Sequence, residues 1–168
     1  MMTRLAAGLA VAVIGTAVAP RGAPAQQAGN FTATVTASGQ DGVRLAGFAL
    51  SFGSDAKRAW YVQLVTPGGG STIMLLYAGA GLPPTGEHRI VDFIGNDATP
   101  PPGKFVATGN VDPAVAAVVG LSSIGGTITI TRSTPSVVEG RFEYRARLAD
   151  VSQAVVVEGE FESNNTQQ

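Results

Sequence analysis

The stretch VVEGRFEYRARL at 137–148, followed by VSQAVVVEGEF at 151–161, decides the fold. Val138, Gly140, Phe142, Tyr144, Ala146 and Leu148 share one parity, and Glu139, Arg141, Glu143, Arg145 and Arg147 share the other. A period of two held over a dozen residues sets every apolar side chain on one face of an extended strand and every charge on the opposite face. After a break at 149–153 the pattern returns, with Val155, Val157, Gly159 and Phe161 against Glu158, Glu160 and Glu162. Folded back as a hairpin, the arginine face of the first strand lies beside the glutamate face of the second. Opposite-charge cross-strand neighbours contribute roughly 0.2–1 kcal/mol each, so they select a register rather than create a fold. The reading is a β-protein whose sheet has one wet and one dry face.

The N-terminus has a different character. Arg4 precedes a run of apolar and small residues at 5–19, and Ala23-Pro24-Ala25 supplies a small-x-small site. These are the charged, apolar and cleavage regions of a secretory signal peptide, here 1–25, and the run is shorter than the roughly 20 residues of a membrane span. Residues 26–168 then form one domain, exported through the inner membrane to the periplasm or beyond. Arg4 and Arg21 leave with the signal, which reduces 11 basic residues to 9 against 12 acidic ones. That weak negative balance carries no electrostatic footprint for nucleic acid or for anionic lipid. The chain has no cysteine, which excludes disulfide staples and thiolate chemistry.

The chain has 22 glycines and 10 prolines, and those within 26–168 punctuate short apolar runs, as in a protein of strands and turns. Phe31, Ala33, Val35 and Ala37 alternate with threonines, Asp41-Gly42 marks a turn, and strands are expected at 43–52 and 59–66. Pro67 to Gly70 breaks the chain before 72–78, where both parities are apolar. Such a strand is expected to be covered on both sides, by a second sheet and by something else. Further strands are expected at 87–94, 104–110 and 125–131. Asp112-Pro113, with Gly120 as exit, is the one helix signal. The expected architecture is an all-β antiparallel sandwich or flattened barrel of eight to ten short strands with that one short helix.

Chemistry is sparse in these residues. His88 is the only histidine, and the nearest approach to a nucleophile elbow, Gly120 to Gly125 around Ser122 and Ser123, lacks G-x-S-x-G. One histidine and no cysteine make a poor transition-metal set, and Asp92, Asn96 and Asp97 lack the dense spacing of a calcium loop. Glycine-rich 68–70 has no phosphate-loop lysine, and 79–84 runs into prolines where a nucleotide-binding helix must start. The glutamates of 139–162 alternate with arginines on a solvated face rather than forming a catalytic pair. No catalytic residue, cofactor or metal is assigned. Trp60 and Tyr61 point to opposite faces, Trp60 to the core and Tyr61 outward beside Gln63.

The G-T-I-T-I-T strand at 126–131, the G-x-F-x-Y strand at 140–144 and the closing G-x-F at 159–161 resemble the ending of many bacterial secreted or envelope β-sandwich proteins. The resemblance covers about 40 residues, implies a sandwich fold and export, and brings no catalytic residue with it. Three functions are expected, in order. The first is a non-catalytic module that binds a protein partner, or serves as an accessory subunit, in an envelope assembly, with Tyr61, Ile73, Leu75 and Tyr77 as its surface. The second is a carrier of an apolar small ligand held by Phe48, Leu50, Trp60, Met74 and Leu76. The third is a carbohydrate-binding module using Tyr61.

Overall fold

The computed structural model describes residues 29–37, 41–54, 58–93, 100–111, 120–148 and 151–166. These form nine strands: β1 (Gly29–Ala37), β2 (Val43–Ser54), β3 (Ala59–Val65), β4 (Thr72–Ala78), β5 (Gly86–Ile90), β6 (Phe105–Asn110), β7 (Leu121–Ser133), β8 (Val137–Leu148) and β9 (Val151–Thr166). The all-β expectation holds, and of the two expected architectures the structure is a barrel rather than a sandwich. The strands close in the order β1-β2-β3-β4-β6-β5-β7-β8-β9, with β9 returning to β1 through Asn30 opposite Glu162 to Ala37 opposite Val155. A sandwich leaves two free edges on each sheet, whereas β1 is paired on both sides here, so closure removes the edges.

Two finer expectations also change. The strands of the C-terminal half are long, at 13, 12 and 16 residues for β7, β8 and β9, because each wraps a tilted cylinder. The sheet is mixed, since β5 meets β6 in parallel at Ile90 and Phe105, and the end of β9 runs parallel to Leu50–Phe52 of β2. The only helical turn among the described residues is a 3-10 turn at Pro67–Gly69; the helix expected after Asp112 lies outside them.

Register ties the layers together. Starting at Gly53 of β2, successive partners are Trp60, Tyr77, Phe105, Ile90, Gly126, Tyr144, Val157 and Val35, and the circuit returns to β2 at Val43. The return point lies ten residues from the start (53 less 43), a stagger that on nine strands gives a bore that side chains fill. The expected dry parity of 138–146 and 155–161 is what fills it, together with Phe31, Trp60, Leu64, Ile73, Leu75, Tyr77, Phe105 and Ile128.

The large rings need room, and glycines across the strand provide it. Gly126 lies opposite Tyr144, Gly140 opposite Phe161, and Gly159 opposite Phe142. A Cβ on Gly159 would stand 2.5 Å from the Thr32 carbonyl oxygen and 2.8 Å from the tip of the Phe142 ring. One is backbone and the other a packed ring, so neither yields cheaply. Gly159→Ala is therefore expected to lower unfolding stability by about 2–3 kcal/mol, measured by urea denaturation. A loss below about 0.5 kcal/mol would show that β1 and β9 can separate without penalty.

Candidate functional site

The outside of the barrel is divided by strand. On β2, β3, β4 and β6 the outward positions form three cross-strand rows: Phe48–Val65–Thr72, Leu50–Gln63–Met74–Thr108 and Phe52–Tyr61–Leu76–Val106. These rows contain no charge. Most of their side chains are half-buried, Phe48 is 52% exposed, and Phe52 stacks on Tyr61 with ring centroids 5.1 Å apart. On the other side lies every glutamate of the chain: Glu87 on β5, Glu139 and Glu143 on β8, and Glu158, Glu160 and Glu162 on β9.

This division relocates the residues singled out by sequence. Ile73, Leu75 and Tyr77 point into the bore and are buried there, because β4 has no second sheet behind it, only the far wall of its own barrel. Of that set Tyr61 alone faces outward, with Met74 and Leu76 as its neighbours on β4. The set Phe48, Leu50, Trp60, Met74 and Leu76 likewise does not line one pocket. Trp60 points inward and the other four point outward. Sequence reading groups Phe48 and Leu50 with Met74 and Leu76 but aims them inward; the heavier parity of β2, with Phe52, instead continues the outward face of β4.

The charged wall corrects the expected hairpin pairing. Arg141 does lie opposite Glu160, but Glu143 lies opposite Glu158 and Glu139 opposite Glu162. Like charges directly opposed are unfavourable. At the second carboxylate pair the neighbouring strand intervenes. Arg132 of β7 pairs with Glu139 and reaches Glu162 at 3.6 Å. The Arg141–Glu160 and Glu143–Glu158 pairs, with Glu87, Arg44, Thr32, Thr34, Thr127 and Thr129, border an open depression of about 780 Å3. Asp92 lies 3.4 Å from the Arg147 guanidinium, while Asn96 and Asp97 fall outside the described residues. Among the described residues no group of three acidic or histidine side chains converges as a metal site.

His88 and Ser123 are far from any catalytic arrangement. The His88 ring sits edge-on to Tyr77 and Phe105 at 5.9 and 5.5 Å, with Nε2 2.7 Å from the Pro84 carbonyl oxygen. Ser123 is buried in the seam where β6 leaves β7. Its hydroxyl donates to the Val91 carbonyl at 2.7 Å and accepts the Ala107 N–H at 3.0 Å, bonds that close a gap in the ladder.

Among the described residues, two polar atoms of the bore have no partner: the Trp60 indole Nε1 and the Tyr144 hydroxyl. Burial alone pushes the Tyr144 hydroxyl well above the ordinary tyrosine range. An unfolded chain ionises that group near pH 10, whereas the barrel keeps it neutral at higher pH. The folded state thus retains a proton that the unfolded state releases. This contribution to stability is complete below pH 10 and is lost as pH rises further. Tyr144→Phe is expected to leave stability at neutral pH unchanged or raised by up to about 1 kcal/mol, since it removes an unsatisfied hydroxyl. Above pH 10 it should reduce the decline of stability by up to about 1.4 kcal/mol per pH unit. Urea titrations at pH 7 and through the alkaline range read both effects, and a clear loss at pH 7 would mean that the hydroxyl holds a partner in solution. Comparison with protein-family models, curated proteins and solved structures finds no match for this chain.

Proposed function

We propose that this chain is an exported, non-catalytic binding module, an accessory part of an envelope assembly, that docks through the outer wall of β2, β3, β4 and β6. The observation that carries the reading is the three uncharged cross-strand rows on the outward face of those four strands, with Phe48 half exposed at their edge. Apolar surface grouped on one side of a polar domain favours association, because covering it releases ordered water. The signal-like residues 1–25 support export.

A carrier of an apolar small ligand is the second reading, and the unpartnered atoms of Trp60 and Tyr144 favour it, since a polar group on such a ligand would satisfy them. The dense packing of the bore weighs against it. The carbohydrate reading loses support because one face of the Tyr61 ring is already covered by Phe52. In cells expressing the chain, wild type is expected in the envelope fraction after gentle lysis, and Phe48→Ser is expected to move at least half of it to the soluble fraction. Equal retention of the two would remove the wall from the function.

A further inference from the structure

We infer that the surface against which this wall docks is an anionic lipid layer, recognised by a local charge pattern that the weak negative net charge of the chain conceals; the inference rests on the docking reading above. The first ground is charge. No carboxylate lies on β2, β3, β4 or β6, and all the glutamates face the other way. Cations flank the wall instead. At one end Arg58 and Lys104 bracket the end of β4, since the Arg58 carbonyl accepts the Gly79 N–H and the Lys104 carbonyl accepts the Ala78 N–H. Arg44, farther along β2, belongs to the acidic side instead, in one cross-strand row with Thr34, Glu158 and Glu143. Neither Arg58 nor Lys104 forms an ion pair among the described residues. In the β2–β3 connection Asp55 is offset by Lys57, which leaves Arg58 as the net charge there.

Area is the second ground. Three rows on four strands cover roughly 400 Å2, from strand spacings of about 4.8 Å and row spacings of about 6.7 Å. A stable protein interface takes about 800 Å2 from each partner, whereas a lipid interface accepts a small apolar patch ringed by cations.

The test is co-sedimentation of the purified chain with protein-free vesicles of phosphatidylglycerol and phosphatidylcholine, and with phosphatidylcholine alone. Binding is expected to the first, to weaken as salt rises, and to be several-fold lower on the neutral vesicles. Phe48→Ser should lower partitioning about tenfold, and Arg58→Gln about fivefold, a loss of one surface cation at the membrane. Val156→Ser, which removes an apolar side chain 37% exposed on the glutamate side, should leave partitioning unchanged. Absence of binding to the anionic vesicles, or equal losses for Phe48→Ser and Val156→Ser, overturns the lipid inference. If vesicles are ignored while Phe48→Ser still leaves the cell envelope, the lipid inference falls and docking on a protein stands. If Phe48→Ser matches wild type in both assays, the docking reading falls with it.

Discussion

The width of the bore governs this molecule. Nine strands closing with a stagger of ten residues enclose a fixed space, and seven aromatic rings must share it with the aliphatic side chains. That space is found by thinning the wall. Where Phe142, Tyr144 and Phe161 stand, the neighbouring strand carries glycine, and the rings lie across bare backbone. The arrangement raises contact area without widening the cylinder, which is why β7, β8 and β9 hold together most closely and why that part of the chain is also the most regular in sequence.

The seam at β5 and β6 is the second dependency. β6 joins β4 to the barrel before β5 does, so the chain crosses over and the two strands meet in parallel at a single pair, Ile90 with Phe105. The ladder is incomplete there, and a side chain completes it. Ser123 bonds Ala107 and Val91 from β7, just before the bulge at which Gly125 adopts a φ of 151°. A hydroxyl in a sequence scanned for nucleophiles thus serves as a missing rung.

Parity was legible before any coordinates, because a period of two is a local property. The dry faces of 138–146, 155–161 and 60–64 read directly from residue order, as did the turns at Asp41-Gly42 and after Val65. Closure was not legible. It depends on β1 meeting β9, and no local pattern states which strands far apart in sequence will pair. The doubly apolar β4 suggested a second sheet, when the far wall of its own barrel covers one parity and the other belongs to the outer face. The hairpin charges were placed on the right face, but only Arg141 meets a glutamate directly across the strands. Side-chain parity determines the face, while register determines the partner, and the register follows the glycine–aromatic fit rather than the ion pairs.

The pairing of β1 with β9, reinforced where the Ser51 hydroxyl donates to the Asn164 carbonyl oxygen, joins the two ends of the domain. A chain built in this way cannot acquire its native form in instalments. Until β9 is available, β1 lacks one of its two partners, and the cylinder remains an open ribbon with its dry face exposed. Such a chain stays threadable until that strand arrives. Its folding is a single late event, completed when β9 closes on β1.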